Sequence, residues 1–508
     1  MPNPPELNDE SDLAGFGYAQ SLGRSLGGFS SFAAGFAYIS ILTGLFQMFP
    51  MGYRAAGPGF FWTWPVVALG QICVALGFAE LSAHFPLCGS VYQWGKQVGS
   101  GWLGWLAGWV SLAGSIAALA AVAMALQSVL PIISPAFQLI GSAADPADSA
   151  KNAVILGSGL IVLTTILNAR GVALMARINN IGVLAEILGA VLLVALLFVK
   201  ARHGPGVVFG RGISPSGKVL GPGAFLAAAL TASYVLYGFE TAGSLAEETV
   251  SPRKKSPRAI LHAIVSASIL GGLLILSGMM AAPDPNDPTL GLPDGGLASI
   301  VTRALGPAIG TILLASVAIA IGSCTLAVQT GAVRLVFAMA RDGLLPGARA
   351  LATVDRTSRT PIGPAVAVGF LAVAVLLLNL NYPRVVEAIG SVSVVWINLA
   401  YWLVSFPLLV YRLKGWPGAD TTDTDGTRLF SLGRFGLPVN VLAVVWGFVI
   451  VINTGWPRAE IYGAEFPQRF LAPLGTIALL AVGGLYYNTA RRGVAAGGAT
   501  PARRGDNG

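Results

Sequence analysis

An acidic side chain stands in the interior of an apolar segment near the middle of the chain. The segment is residues 224–246, and Glu240 follows Gly238 by two positions within it. A carboxylate at membrane depth costs several kcal/mol unless it pairs, takes up a proton or faces a wet cavity, so it persists where it is used. Tyr237 and Gly238 mark a weak point in the helix, where backbone groups are freed to meet a ligand. A charged, interrupted helix among many spans is typical of a transporter binding site.

A second membrane-embedded acid is predicted at Glu186, in the apolar run 178–199. Three roles suit a carboxylate there: a proton carrier, part of a cation site, or the partner of a buried hydrogen-bond donor. We favour a role in coupling, because an unpaired acid at this depth is costly.

Both acids belong to a chain with the composition of an integral membrane protein. Of its 508 residues, 54% are hydrophobic and 11% are charged, and the mean hydropathy is +0.71. Soluble domains average about 25% charged residues, so a soluble fold is excluded. We predict an all-α membrane protein with about twelve transmembrane helices, at residues 28–49, 60–82, 103–130, 153–169, 178–199, 224–246, 259–281, 308–338, 362–380, 386–411, 437–454 and 470–488.

The net charge of +8 is explained by membrane topology rather than by nucleic-acid binding. With both termini cytoplasmic, Lys and Arg are more frequent in the internal segments than in the external ones, as the positive-inside rule requires. The external loop 201–222 is the exception. We expect a multi-pass protein of the plasma membrane, surrounded by lipid and without a nucleic-acid partner.

The first and sixth apolar runs are interrupted at similar depths. Each holds a small residue flanked by polar ones: Ser40, Thr43 and Gly44 in the first, and Tyr237, Gly238 and Glu240 in the sixth. Because five spans separate the two interruptions, these helices enter the membrane in opposite directions. That is the arrangement of an inverted-topology repeat.

Three motifs indicate a family. They are AELSAHFPLCGSVYQW at residues 79–94, GFETAGSLAEETVSPRKKSPRAI at 238–260 and TGAVRLVFAMARDGLLP at 330–346. Together they resemble the amino acid–polyamine–organocation (APC) superfamily of permeases. The opening SLGRSLGGFSSFAAGFAYISILTG is similar to its amino acid/choline branch, which includes GABA permeases, and the resemblance covers roughly residues 16–490.

The resemblance implies a fold of five plus five helices in inverted repeat, with helices 1 and 6 discontinuous and two peripheral helices after them. The chain then divides into a cytosolic tail (1–26), a first repeat (27–200), an external loop (201–222), a second repeat (223–411), a cytosolic loop (412–436), a final helix pair (437–490) and a disordered cytosolic tail (491–508).

The resemblance also implies a secondary active transporter that moves an amino acid or related amine by alternating access, without a cofactor. Proton-coupled uptake is our first choice of energy source, with exchange and sodium symport as alternatives. A channel and a non-transporting nutrient sensor are the alternatives from other classes. An enzyme is not expected, because the three histidines lie far apart in sequence.

The family pattern places the substrate between the two interruptions. The amides of Leu42, Thr43 and Gly44 would hold the substrate carboxylate, since a helix N-terminus favours an anion. Carbonyls near Tyr237 and Gly238 would accept its ammonium group. The resemblance makes Tyr234 a gating aromatic one turn earlier, and aromatic faces attract cations.

The remaining polar residues have less specific roles. Glu240 matches a carboxylate that serves some relatives as a proton switch, or it holds the broken helix together by hydrogen bonds. Ser323 and Thr325 leave a sodium site open, although hydroxyls in membrane helices more often bond neighbouring helices. Charged residues at the cytoplasmic helix ends are predicted to form salt bridges, caps and the rim of a gate: Glu80, Glu247, Glu248, Arg341 and Asp342. Arg334 lies within a span and is expected to extend to the inner interface or to pair there.

Overall fold

The computed structural model describes residues 5–143, 145–210, 221–292, 295–380, 385–418, 422–423, 426–463 and 465–496. In these residues the fold is helical, and the β-contacts are two isolated bridges rather than strands. The α-helices are α1 (Pro5–Gly15), α2 (Gly28–Ile39), α3 (Ile41–Ala56), α4 (Thr63–His84), α5 (Ser90–Val98), α6 (Gly101–Met124), α7 (Leu130–Ile133), α8 (Pro146–Ala169), α9 (Val172–Val199), α10 (Pro222–Val235), α11 (Thr241–Ser244), α12 (Pro252–Ala281), α13 (Gly296–Leu305), α14 (Pro307–Arg341), α15 (Ala348–Leu351), α16 (Ile362–Leu377), α17 (Val385–Leu413), α18 (Gly436–Gly455), α19 (Ala459–Tyr462), α20 (Phe466–Arg469) and α21 (Leu471–Ala496). Short 3₁₀ helices cover Gly57–Trp62, Ala125–Ser128, Pro135–Phe137, Pro205–Phe209, Ala246–Glu248, Pro288–Gly291, Leu378–Leu380 and Gly433–Phe435.

The long helices start where the sequence provides helix-initiating residues. Proline lies in the first turn of α8, α10, α12 and α14, where its missing N–H costs nothing and its fixed φ suits a helix. Asp145 also caps α8, because its side chain accepts the N–H of Ala147 at 2.9 Å. Long apolar runs between such starts then continue as helices.

Ten stretches of the described chain are long and apolar enough to cross a membrane, so the protein is a multi-pass membrane protein. One of them, Gly28–His84, contains two of the predicted runs, because α2, α3 and α4 follow one another closely. The predicted run 224–246 falls on α10 and the four-residue α11, which are too short to be among the ten.

The outer surface of the bundle is apolar. Phe370 on α16 and Leu485 on α21 are each 72% exposed, which suits contact with lipid tails rather than water. The centre of the bundle holds α2, α3 and α10, whose residues Phe36, Leu42 and Val235 are fully buried.

The N-terminal segment packs against one end of the bundle, which we call the tail side. The Leu26 N–H donates to the Glu248 carbonyl at 2.9 Å, and the Val250 N–H donates to the Leu26 carbonyl at 3.0 Å. Ion pairs from Asp9 to Arg24 and from Asp12 to Arg253 hold α1 beside residues 16–27, which we call the strap. The described part of the predicted tail 1–26 is therefore a docked helix and strap.

The last helix extends into the segment from residue 491 that was predicted to be disordered. Helix α21 continues to Ala496, in keeping with the helix propensity of Arg and Ala in that stretch. The rest of the predicted tail, 497–508, lies outside the described residues.

Candidate functional site

The first interruption lies at Ser40. Helix α2 ends at Ile39 and α3 begins at Ile41, with Ser40 between them at φ 36° and ψ 91°. The prediction placed this break at Leu42–Gly44, which instead form the first turn of α3. A serine can support such a break, because its hydroxyl supplies hydrogen bonds that the interrupted helix has lost.

Gly44 allows α3 to approach α10. A Cβ added at Gly44 would lie 2.7 Å from Cγ2 of Val235, closer than two carbon atoms can approach. The Leu42 side chain points elsewhere, since its Cδ1 is 3.9 Å from where a Cβ of Gly189 on α9 would lie. The two interrupted helices are thus packed directly against each other.

Glu186 caps the N-terminus of α3. Its Oε1 accepts the Leu42 N–H at 3.2 Å and the Ser40 hydroxyl at 2.9 Å. Thr43 Oγ1 lies 2.6 Å from Ser40 Oγ and accepts from it, so the Ser40 hydroxyl lies between two acceptors, Thr43 and Glu186. The helix end that was predicted to hold a substrate carboxylate holds a protein carboxylate in this conformation.

The second interruption spans Leu236–Glu240, between α10 and α11. Gly238 has φ 92°, and a Cβ at this position would lie 1.9 Å from Cδ1 of Tyr38. Only glycine adopts such a backbone without strain. Among the described residues, no hydrogen bond to the carbonyls of Leu236 and Tyr237 is found. The break predicted at Tyr237–Gly238 is confirmed.

Tyr401 on α17 fastens this break. Its hydroxyl accepts the Gly238 N–H at 2.7 Å and donates to Oε2 of Glu240 in a short hydrogen bond. One phenol therefore satisfies both a backbone amide and a buried carboxylate. Sequence reasoning missed Tyr401, and its only signal was a polar group inside an apolar run.

We expect Tyr401→Phe to weaken transport strongly while leaving the protein folded. The change removes the partner of Gly238 and of Glu240 together, and a buried polar group left unsatisfied costs about 1–3 kcal/mol. Uptake in proteoliposomes should fall by roughly tenfold or more. Tyr462→Phe, which removes a buried tyrosine hydroxyl far along the chain that donates to the Thr454 carbonyl at 2.5 Å, is the matched control. Equal uptake by both variants would contradict the role of Tyr401.

Aromatic rings surround the second break. The Tyr237 ring centroid lies 5.9 Å from that of Tyr38 and 6.1 Å from that of Tyr234. The Tyr234 hydroxyl donates to Gln47 Oε1 at 3.0 Å, and Gln47 Nε2 donates to the Ala121 carbonyl at 3.1 Å. Gln47 thereby links α10, α3 and α6. This link lies on the opposite side of the two breaks from the tail side, and sequence reasoning also missed Gln47.

The predicted pair Ser323 and Thr325 does not converge on one point. A Cβ added at Gly182 on α9 would lie 1.7 Å from Ser323 Oγ, so this hydroxyl faces α9. Thr325 donates to the Ile321 carbonyl of its own helix at 2.8 Å. Since residues two apart on a helix point in nearly opposite directions, the two hydroxyls cannot share one ion while α14 is helical at these residues.

Charged groups on the tail side form ion pairs, as predicted. Arg334 is fully buried and pairs with Glu248 through two nitrogens, at 2.9 and 3.0 Å. Further pairs on this side are Arg341 with Glu247, Arg412 with Glu80, and Lys96 with Asp342.

Tyr18 connects the N-terminal segment to this network. Its hydroxyl donates to Asp342 at 2.9 Å, and the Arg341 guanidinium lies 3.8 Å from its ring centroid. Burial and the nearby Asp342 charge raise the pKa of Tyr18, so the phenol stays protonated and keeps donating. The tail side is closed over the two breaks.

The breaks themselves are shielded from solvent. Ser40 is fully buried, and Tyr237 and Glu240 are 3% and 5% exposed. Two interrupted helices that pack together inside a bundle of apolar spans are typical of membrane transporters. The chain belongs to the amino acid permease family of the APC superfamily, whose family model matches residues 26–477.

Curated relatives cover most of the chain. It is 26% identical to the amino-acid permease BAT1 of Arabidopsis thaliana, over 89% of this chain and 89% of the relative. It is 28% identical to the branched-chain amino acid permease BcaP of Bacillus subtilis, over 86% and 89%. A methylthioribose transporter of Bacillus subtilis is 29% identical, over 78% and 83%.

Proposed function

We propose that this protein is a secondary active transporter that takes up an amino acid or a related amine across the plasma membrane by alternating access, coupled to protons. The observation that carries the proposal is the direct packing of two interrupted helices, whose breaks hold free carbonyls beside a helix N-terminus. Such sites at paired discontinuous helices bind small charged substrates in transporters. Membership of the amino acid permease family supports the substrate class.

The transmembrane arrangement that we propose has twelve crossings, with five plus five helices in inverted repeat and two peripheral ones. In this scheme α2 with α3 is the first crossing, and α10 with α11 is the sixth. An odd number of steps between them gives the two interrupted helices opposite directions. The surplus of Lys and Arg in the predicted internal segments supports a cytoplasmic tail side, with both termini there.

Substrate recognition follows from the chemistry of the two breaks. A substrate ammonium group would meet the carbonyls of Leu236 and Tyr237 and the faces of Tyr38 and Tyr234. A substrate carboxylate would meet the N-terminus of α3. Relatives named for branched-chain amino acids and for methylthioribose support a small substrate without fixing its side chain.

Opening of the site would alternate between its two sides. Toward the tail side, the ion pairs of Arg334 and Arg341 and the strap around Tyr18 would separate to release substrate. Toward the other side, the Tyr234–Gln47 contact would part to admit it. Each barrier consists of hydrogen bonds between helices, which can break as units when helices tilt.

We assign different roles to the two predicted membrane acids, Glu240 and Glu186. Glu240 is held by Tyr401 and borders the second break, which supports a positioning role more than a proton switch. Glu186 contacts the first break and pairs with no described Lys, Arg or His, which supports it as the proton-coupling group. Exchange is the alternative to proton-coupled uptake, whereas sodium coupling at Ser323 and Thr325 is not supported, because their hydroxyls do not converge.

A labelled panel in proteoliposomes tests this function. The panel holds L-leucine, L-alanine, γ-aminobutyrate, propylamine and methylthioribose, with proton and sodium gradients imposed separately. We expect accumulation of at least one nitrogen compound when the outside is acidic, and loss of it when an ionophore collapses the gradient. Accumulation driven by sodium alone would overturn proton coupling, and no transport of any nitrogen compound would overturn the function.

A further inference from the structure

The N-terminus of α3 is a binding position for two carboxylates, that of Glu186 and that of the substrate. The N-terminus of α3 is where a substrate carboxylate would bind, yet in this conformation Oε1 of Glu186 accepts the Leu42 N–H at 3.2 Å and the Ser40 hydroxyl at 2.9 Å. Two negative charges cannot share these donors at close range without strong repulsion. Either Glu186 or the substrate must give way.

The second carboxylate oxygen of Glu186 indicates a function in another state of the protein. Glu186 is fully buried, and its Oε2 has no hydrogen-bond partner among the described residues. Buried polar atoms without a hydrogen-bond partner are rare, and each one calls for an explanation. An oxygen that carries a proton in part of a transport cycle, or that meets a substrate group, is satisfied in those states.

The surroundings of Glu186 provide no counter-charge within the described part of the chain. From α14 the titratable group that faces it is the thiol of Cys324, and from α2 and α3 it meets the hydroxyls of Ser40 and Thr43. Helices α8, α12 and α13 also pack against α9, and none of their described Lys, Arg or His side chains forms an ion pair with Glu186. No described cationic side chain neutralises this carboxylate, so uptake of a proton would do so.

We propose that Glu186 and the substrate's carboxylate compete for the N-terminus of α3, so that a carboxylate-bearing substrate binds only after Glu186 has taken up a proton. The inference rests on the proposed function and specifies how its coupling is built. A proton from water adds to the Glu186 carboxylate, and the resulting acid releases the Leu42 N–H to the substrate. On the tail side the proton returns to water, the ionised Glu186 takes back the Leu42 N–H, and the substrate carboxylate is expelled.

This exchange makes the carboxylate of the substrate the feature that couples it to protons. One proton moves inward with each carboxylate-bearing molecule. An amine of the same shape without a carboxylate makes no demand on the α3 end, so its binding does not require a proton on Glu186. Lowering the pH protonates Glu186 and strengthens binding of the acid, because the bound state holds the extra proton.

Paired probes test the competition in the purified full-length protein. L-Leucine is compared with isopentylamine, and γ-aminobutyrate with propylamine, since each pair differs by the carboxylate. Affinity is measured against pH, and proton uptake on binding is followed in weak buffer with an indicator dye. We expect affinity for the amino acid to fall about tenfold per pH unit once Glu186 ionises, with about one proton taken up per molecule bound, and neither effect for the amine.

Three variants isolate Glu186. Glu186→Gln should bind the amino acid with a pH-independent affinity and no proton uptake, and should exchange it across the membrane without accumulating it. Glu186→Asp, which keeps a titratable group, should retain the pH slope. Glu240→Gln, which alters the other buried acid, should also retain the slope, whatever its effect on the affinity itself.

Different results of these experiments would overturn the competition at Glu186 and the proposed transport function. A pH-independent amino acid affinity in the wild type, the same slope for the amine, or a slope retained in Glu186→Gln would each overturn the competition while leaving a transporter. If Glu186→Gln does not fold, the comparison of acid and amine in the wild type decides alone. Failure of every probe to bind or be transported would instead count against the proposed function.

Discussion

Substitution of Gly238 by valine is expected to abolish transport. The Cβ would lie 1.9 Å from Cδ1 of Tyr38, at a backbone φ of 92°. Overpacking costs about 1–3 kcal/mol, and a left-handed conformation in a residue with a side chain costs about 1–2 kcal/mol. Relief of both strains would straighten the break or displace Tyr38. A cost of about 2–5 kcal/mol lowers the competent conformation by roughly thirtyfold or more.

The measurement is initial uptake in proteoliposomes that hold equal amounts of folded protein. Gly159→Val on α8 is the matched control, because no atom lies within 4 Å of a Cβ built there, and it should keep most of the uptake. Wild-type uptake by Gly238→Val would show that the break is not needed for transport.

The largest loss of stability is expected from Arg334→Met. The guanidinium is fully buried and donates to both oxygens of Glu248 and, at 3.1 Å, to Asn168 Oδ1. Its removal leaves Glu248 buried without its partner, which costs about 3–5 kcal/mol when one member of a buried pair is lost. Glu248→Leu should be similarly damaging, since it leaves Arg334 unpaired.

The double variant Arg334→Met/Glu248→Leu distinguishes a pair from two separate contributions. Because neither charge is then left alone, its loss of stability should be well below the sum of the two single losses. Unfolding midpoints in detergent, followed by size-exclusion chromatography after heating, give the comparison. Arg303→Met removes a half-exposed partner of Asp287 and should cost less than about 1 kcal/mol. Single variants as stable as Arg303→Met, or strictly additive losses, would contradict the assignment.

The two breaks show what sequence can and cannot locate. The break at Gly238 was predicted correctly, because a glycine close to an acid within an apolar run is typical of an interrupted membrane helix. The first break is predicted at Leu42–Gly44, whereas the structure has it at Ser40, because a glycine in an apolar run can serve helix packing instead of a break. In the structure Gly44 provides close packing against Val235, whereas a serine in an unusual conformation interrupts the helix.

Pairing between residues that lie far apart in the chain could not be predicted from the sequence. The acids Glu80 and Glu248 were identified as members of salt bridges, but the pairing of Glu80 with Arg412 joins residues 332 positions apart. Tyr401 and Gln47 carry no local signal except polarity in an apolar run. Their roles follow from which helices pack together, and a single sequence with repeated apolar spans leaves that packing open.

The central claim is that residues around Ser40 and Leu236–Glu240 together form one substrate site. An electron cryomicroscopy structure of the full chain in lipid nanodiscs, with a transported amino acid from the panel bound, tests this claim. We expect density for that compound between the two breaks, with its carboxylate within hydrogen-bonding distance of the Leu42 N–H and its ammonium group within the same distance of the Tyr237 carbonyl. Density bound elsewhere, or a continuous helix through Ser40 with the compound bound, would contradict it.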